Sequence, residues 1–156
     1  MLSNSNTTQT KAGLLYALSL FFVYALSVNV SMAESFDGDV ARAMFTTKLK
    51  NNEPLNEVLI IENTVRKIYF FSAVKGMQGK TITHRWETRG DKVFEQRFKV
   101  STNSENLISQ LELDPSRVGE WMVVMSDEKG WPVKAVMFKY VKQGSFAGKG
   151  VIPLKP

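Results

Sequence analysis

Apolar and polar residues alternate along residues 67–100, where three apolar runs are separated by two glycine-bearing breaks. Runs of this kind, joined by short glycine turns, are typical of an antiparallel meander. In the middle run, Ile82, His84 and Trp86 share one parity. Because successive side chains of a strand point to opposite faces, these three side chains are predicted to face a core.

Similar short runs on both sides of this meander predict further strands, at 40–47, 56–62, 120–126 and 133–141. The segment 48–54 collects lysine, asparagine and proline, which predicts a loop. The segment 101–119 is polar with isolated leucines, so we expect it to be irregular, with at most one helical turn at 106–111.

Two of the predicted strands carry distinctive patterns. In the strand at 40–47, Ala41, Ala43 and Phe45 share one parity, which predicts a half-buried edge strand. In the strand at 67–74 both parities are largely apolar, and a strand with two apolar faces belongs in the interior of a packed structure.

The count of about seven short strands over roughly 100 residues, without a strong helix, predicts an all-β fold class. The expected architecture is an antiparallel β-sandwich of immunoglobulin-like or fibronectin-like type, and a small β-barrel is the alternative. We assign residues 40–141 to this β-sandwich domain, 34–39 to a linker and 142–156 to a tail.

The first 33 residues have a different composition. Lys11 precedes the nearly uncharged apolar run 12–30, and small residues flank the end of the segment at Ser31 and Ala33. This pattern predicts a signal peptide cut after Ala33, and the alternative is an uncleaved N-terminal apolar helix that anchors the chain in the membrane. Both alternatives predict an extracytoplasmic domain, which in a Gram-negative bacterium would be periplasmic or tethered to the inner membrane.

Composition narrows the classes of function. Hydrophobic residues make up 44% of the chain and charged residues 22%, the proportions of a globular protein. The chain has no cysteine, which excludes disulfides, thiolate metal sites and cysteine nucleophiles. The net charge of +5 is spread without blocks of like sign, so no nucleic-acid partner is predicted.

Candidate chemistry is sparse. His84 is the only histidine, and the chain contains no nucleophile elbow, phosphate-binding loop, zinc motif or dinucleotide fingerprint. We therefore predict no catalytic residue, no cofactor and no metal site. The less favoured alternative is a hydrolase of envelope polymers that uses Glu87 or Glu95 with His84.

The candidate binding residues are His84, Arg85, Trp86, Arg97 and Trp131. Arg85 and Arg97 are expected on an exposed sheet face, where an arginine and aromatic surface is suited to a protein or glycan partner. Trp131 lies in a Gly-Trp-Pro turn and is the tryptophan expected to be exposed. Trp86 and His84 are more typical of core positions on their parity.

Several motifs recur together along residues 40–141. They are Ala41-Arg42-Ala43 with Phe45-Thr46, Glu53-Pro54, Tyr69-Phe70-Phe71, Gly76-Met77 with Gly79, Thr83-His84-Arg85-Trp86-Glu87, Gly119 with Trp121, and Asp127 with Gly130. In this combination the chain resembles the bacterial domain of unknown function 2914 family. The resemblance implies an extracytoplasmic or membrane-tethered β-domain and no known reaction, and it draws attention to His84, Arg85 and Trp86 as a set.

The sequence thus favours a non-enzymatic, envelope-located β-sandwich module that binds a partner protein or an envelope glycan through an exposed sheet face or the loops at one end. A structural spacer carried on an N-terminal anchor is the alternative within the non-enzymatic class. Oligomeric state is left open by the sequence.

Overall fold

The computed structural model describes residues 38–145 and the backbone of residues 151–153. The predicted signal or anchor at 1–33 lies outside this part of the chain, as does most of the linker. The described residues are all-β, as predicted. Their strands are β1 (Asp39–Thr46), β2 (Leu49–Lys50), β3 (Glu53–Pro54), β4 (Val58–Glu62), β5 (Lys67–Lys75), β6 (Thr81–Thr88), β7 (Asp91–Lys99), β8 (Ser104–Glu112), β9 (Gly119–Ser126), β10 (Pro132–Val141) and β11 (Val151–Pro153). Within these ranges, no helix long and apolar enough for a membrane crossing is found.

Two open sheets share one hydrophobic core. The smaller sheet has the order β1-β5-β8 and the larger one the order β11-β4-β10-β9-β6-β7, while β2 and β3 form a separate small hairpin. All pairings are antiparallel except that between β4 and β10. The ring of Phe45 in the smaller sheet lies 5.5 Å from Trp86 and 4.7 Å from Phe138 in the larger sheet, centroid to centroid. Aromatic side chains therefore join the two sheets.

The predicted three-stranded meander is wrong. β5 pairs with β1 and β8 in the smaller sheet, whereas β6 pairs with β7 and β9 in the larger one. The connection from β5 to β6 carries Met77, whose side chain is fully buried in the core. Met77 therefore packs into the shared core at the point where the chain passes from the smaller sheet to the larger one.

The second half of the predicted meander is confirmed as a hairpin. Arg89 and Gly90 both have positive φ, at 54° and 83°, which is the backbone conformation of a two-residue turn whose twist matches its strands. The predicted loop at 48–54 also contains such a turn, at Asn51 and Asn52, between β2 and β3.

The segment predicted to be irregular, with a possible helical turn at 106–111, is instead strand β8. Leu107 and Ser109 point into the core and are 2% and 1% exposed. The apolar alternation of this strand is hidden because a serine occupies one of its inward positions.

β1 is an edge strand, as predicted, but its inward face differs. The register with β5 shifts between Val40 and Arg42, so a bulge falls at Ala41. A bulge adds one residue and reverses the parity beyond it, which leaves Ala41 exposed while Phe45 is buried.

β5 is the central strand of its sheet and is buried on both faces, as its two apolar parities predicted. Phe70 faces the shared core, and Phe71 on the opposite face is also fully buried. The guanidinium of Arg42 lies over the ring of Phe71, 5.3 Å from its centroid. Glu53 of β3 holds Arg42 in an ion pair of 3.5 Å and accepts a hydrogen bond from Asn106 of 2.7 Å, so the small hairpin is attached across this face.

Candidate functional site

The five candidate binding residues lie in three different environments. His84 and Trp86 of β6 face the core and have no exposed surface, as their parity predicted. Arg85 and Arg97 lie on the outer face of the larger sheet, where Arg97 is on the neighbouring strand β7. Trp131 lies in the turn between β9 and β10 and is 69% exposed.

His84 and Trp86 belong to a buried hydrogen-bond network that joins the two sheets. Nε2 of His84 lies 3.0 Å from Oγ of Ser72 in β5, and Nδ1 lies 3.0 Å from Oγ of Ser109 in β8. The indole Nε1–H of Trp86 donates to the same Ser109 oxygen at 3.0 Å. All four side chains are buried, and we name them the inter-sheet network.

The network satisfies a neutral imidazole. Each serine hydroxyl can donate or accept, so either tautomer of His84 finds a donor on one side and an acceptor on the other. The ring is also enclosed by Phe70 and Phe98, with centroids 4.9 and 4.7 Å away. This burial lowers the pKa of His84 to about 3, because the charged form would lose its hydration.

The same enclosure determines what His84 can do. Both ring nitrogens are occupied by serine hydroxyls, and the side chain has no solvent-exposed surface. A substrate cannot reach the imidazole unless the two sheets separate. The same burial prevents Trp86 from touching a partner at the surface of the folded domain.

The outer face of the larger sheet carries paired charges rather than a cationic strip. Arg85 forms an ion pair with Glu87, and Arg97 pairs with Glu95 at 3.2 Å. Lys92 approaches the second oxygen of Glu95 at 3.5 Å. The two acids of the hydrolase alternative are therefore engaged by cations on one side of the sheet, while His84 lies on the other.

The turn that carries Trp131 is organised by Asp127. Its carboxylate accepts hydrogen bonds from the backbone N–H groups of Lys129 and Trp131, at 2.9 and 2.8 Å. Its backbone closes the turn through a bond to the Trp131 carbonyl of 3.0 Å and one from Gly130 of 3.1 Å. The backbone N–H of Thr81 donates to Glu128 at 3.3 Å and attaches the turn to the start of β6. These hydrogen bonds thus fix the backbone that carries Trp131, and its indole is exposed.

Two surface cavities are lined by residues other than the five candidates. One of about 440 Å³ is lined by Asn52, Lys75 and Glu105, among others, beside the small hairpin. The other, of about 330 Å³, lies beside the β6–β7 turn and is lined by Glu87 and Met137, among others. Within the described ranges, no group of three or more histidine and acidic side chains is placed to hold a metal ion.

The two serines of the inter-sheet network were missed by sequence reasoning. Ser72 precedes His84 by 12 positions and Ser109 follows it by 25, on strands of the opposite sheet. The available signal was a hydroxyl residue at a position of inward parity, between Phe70 and Val74 in the case of Ser72.

Part of the chain matches a known protein family. Residues 79–140 match the family described as "Protein of unknown function (DUF2914)". The matched residues run from the end of the β5–β6 connection into β10, and they include His84, Trp86, Ser109 and the Trp131 turn. The predicted resemblance is confirmed over these residues. No curated protein matches the chain.

Proposed function

We propose that this chain, which matches DUF2914 over residues 79–140, is a non-enzymatic module that binds a partner protein or an envelope glycan through the Trp131 turn. The observation that carries the proposal is the 69% exposure of Trp131 on a turn held by Asp127. An indole on a fixed backbone offers a large apolar face to a partner, and tryptophan is enriched at binding hot spots.

The strand order supports an immunoglobulin-like sandwich for this module. In immunoglobulin lettering, the order β1-β5-β8 corresponds to A-B-E, and β10-β9-β6-β7 corresponds to G-F-C-C′. Trp86 then takes the place of the buried tryptophan of strand C, and the turn of Trp131 takes the place of the F–G loop. In immunoglobulin variable domains this loop belongs to the binding end of the sandwich, so the fold analogy supports the same surface.

The location proposed for the module rests on the sequence alone. The apolar segment at 12–30 supports export, with either cleavage after Ala33 or retention as a single span, and hence an extracytoplasmic domain. A partner in the envelope follows from that location.

The second candidate function is a structural spacer. The pairing of Arg85 with Glu87 and of Arg97 with Glu95 supports it, because charges neutralised within the sheet face are less available to a partner. The hydrolase alternative receives less support, since its histidine and its acids lie on opposite faces of the sheet.

Tryptophan fluorescence tests the proposal. Trp86 and Trp121 are 0% and 1% exposed, so acrylamide quenching of the folded protein reports mainly on Trp131. We expect either soluble peptidoglycan fragments or an envelope protein fraction to reduce this quenching.

Two variants, each lacking one exposed apolar side chain, allow recovery of the glycan or protein to be compared. Trp131→Ala should lower recovery of the bound glycan or protein at least tenfold, whereas Leu55→Ala, which removes an apolar side chain 58% exposed on another loop, should leave recovery unchanged. Unchanged quenching with both preparations, together with equal recovery by both variants, would favour the spacer.

A further inference from the structure

The two sides of the larger sheet differ in how they avoid pairing with other chains. β7 bears Lys92, Glu95 and Arg97 on its outer face, and charges of this kind discourage edge-to-edge association. β4, by contrast, has the sequence VLIIE, with four consecutive apolar residues, and Leu59 is 39% exposed. The free edge of such a strand can pair with other chains unless a further strand pairs with it.

The chain covers β4 with its own C-terminal strand. β11 pairs antiparallel with β4, at Val151 with Ile61 and at Pro153 with Val58, and the register shifts between these two pairs. The parallel ladder with β10 reaches only residues 60–62 of β4, so Val58 is paired by β11 alone among the described strands. The cover is short and irregular, and the proline cannot donate a hydrogen bond.

The connection to this cover is long compared with the distance that it spans. β10 ends at Val141 and β11 begins at Val151, so nine residues join them. β11 lies two strand spacings from β10, about 10 Å across the sheet, whereas nine extended residues reach about 30 Å. The connection includes Gly144, Gly148 and Gly150.

We propose that the β4 edge is a strand-acceptor site and that its intermolecular occupant is the C-terminal strand of a second copy of this chain. The segment at 151–153 pairs with this edge within the chain, and the connection is long enough to present it to a neighbour. Exchange of a terminal strand keeps every pairing of the monomer, so it costs little once two copies are close. The site is independent of the proposed Trp131 contact.

The first test removes the possibility of pairing within one chain. Deletion of residues 143–150 leaves one residue between β10 and β11, so the Cα atoms of Val141 and Val151 can lie at most about 8 Å apart, less than the roughly 10 Å across β4. Sedimentation of the shortened chain should then give a dimer, whereas we expect the parent chain to be a monomer at micromolar concentration because its own strand has the higher effective concentration. A shortened variant that stays monomeric would overturn the proposal.

The second test uses a peptide and remains informative if the deletion variant fails to fold. A chain ending at Ser145 should bind a labelled peptide of residues 148–156 at least tenfold more tightly than the intact chain does, because the edge is free. A peptide with Ile152→Pro lacks one backbone donor and is the matched control. Equal binding by the truncated and intact chains, or equal binding of the two peptides, would contradict a strand-acceptor site.

Discussion

The inter-sheet network and the Trp131 turn use polar groups for opposite purposes. In the network, two serines and a histidine satisfy one another and the indole of Trp86 inside the core. In the turn, Asp127 satisfies the backbone so that the indole of Trp131 can remain in solvent. The first arrangement joins two sheets, and the second presents a surface.

The network contains residues that pack the core, whereas the turn contains a residue that is available to a partner. His84 and Trp86 form the most distinctive motif of the chain, yet their side chains are buried and their hydrogen bonds are to serines of the opposite sheet. The residue that is available for recognition lies in a turn with ordinary composition. A distinctive motif can therefore specify packing, and a buried polar network is one way in which a core fixes a single arrangement of its layers.

The largest change in stability is expected for loss of the buried indole of Trp86, and loss of the exposed indole of Trp131 is the comparison. Trp86→Ala removes a fully buried ring and its hydrogen bond to Ser109, so the free energy of unfolding should fall by about 4 kcal/mol. Trp131→Ala should change it by about 0.5 kcal/mol or less, as expected for a surface substitution. Urea denaturation of the two variants measures both values, and similar losses would remove the distinction.

The pH dependence of stability is the next largest effect. His84 has a pKa of about 3 in the folded protein and an ordinary value of 6.5, so between these values the unfolded chain binds more protons. The stability contributed by neutral His84 is therefore complete above pH 6.5 and is lost as the pH falls towards 3. By pH 5 the loss should be about 2 kcal/mol.

A variant without histidine separates the pH dependence due to His84 from the pH dependence due to the carboxylates. His84→Gln is less stable at neutral pH, but its stability should change less between pH 7 and pH 5 than that of the parent chain. Parallel pH profiles for the two proteins would show that His84 is not buried as a neutral ring.

The hydroxyl of Ser109 should matter more than that of Ser72. Ser109→Ala leaves both Nδ1 of His84 and the N–H of Trp86 without their partner, which should cost about 2 kcal/mol. Ser72→Ala removes one contact and should cost about 1 kcal/mol. Thermal denaturation of both variants measures the order, and a reversed order would contradict the geometry of the network.

The smallest expected effect is on the outer face of the sheet. Arg85→Ala breaks the exposed pair with Glu87 and should lower the free energy of unfolding by about 0 to 1 kcal/mol. The residual effect should diminish in high salt, which screens exposed charges. A loss as large as that of Ser109→Ala would mean that the outer face contributes to the fold as much as the network does.

The sequence was sufficient for the parts of the fold that local alternation determines. β1, β4, β5, β6, β7, β9 and β10 follow from apolar runs, and the inward direction of His84 and Trp86 follows from parity. Sheet membership did not follow, because the alternation in β5 and β6 is the same whether they pair with each other or lie in opposite sheets. β8 was missed because Ser109 serves the network from a position where an apolar residue would have revealed the strand.

The sequence predicted the part of the candidate site that depends on one residue and its own turn, but not the part that depends on contacts between strands. The exposure of Trp131 followed from its turn, and it needs no distant partner. The partners of His84 come from two strands of the other sheet, so the network depends on tertiary packing that no local pattern encodes.

An NMR titration of the single histidine tests whether His84 is buried as a neutral ring in the inter-sheet network. Because His84 is the only histidine, its ring ¹H and ¹⁵N signals can be followed without assignment of a second imidazole. We expect these signals to stay those of a neutral ring as the pH falls from 8 to 5 in the folded protein. A titration with a midpoint near 6.5 would place the ring in contact with water and contradict the inter-sheet network.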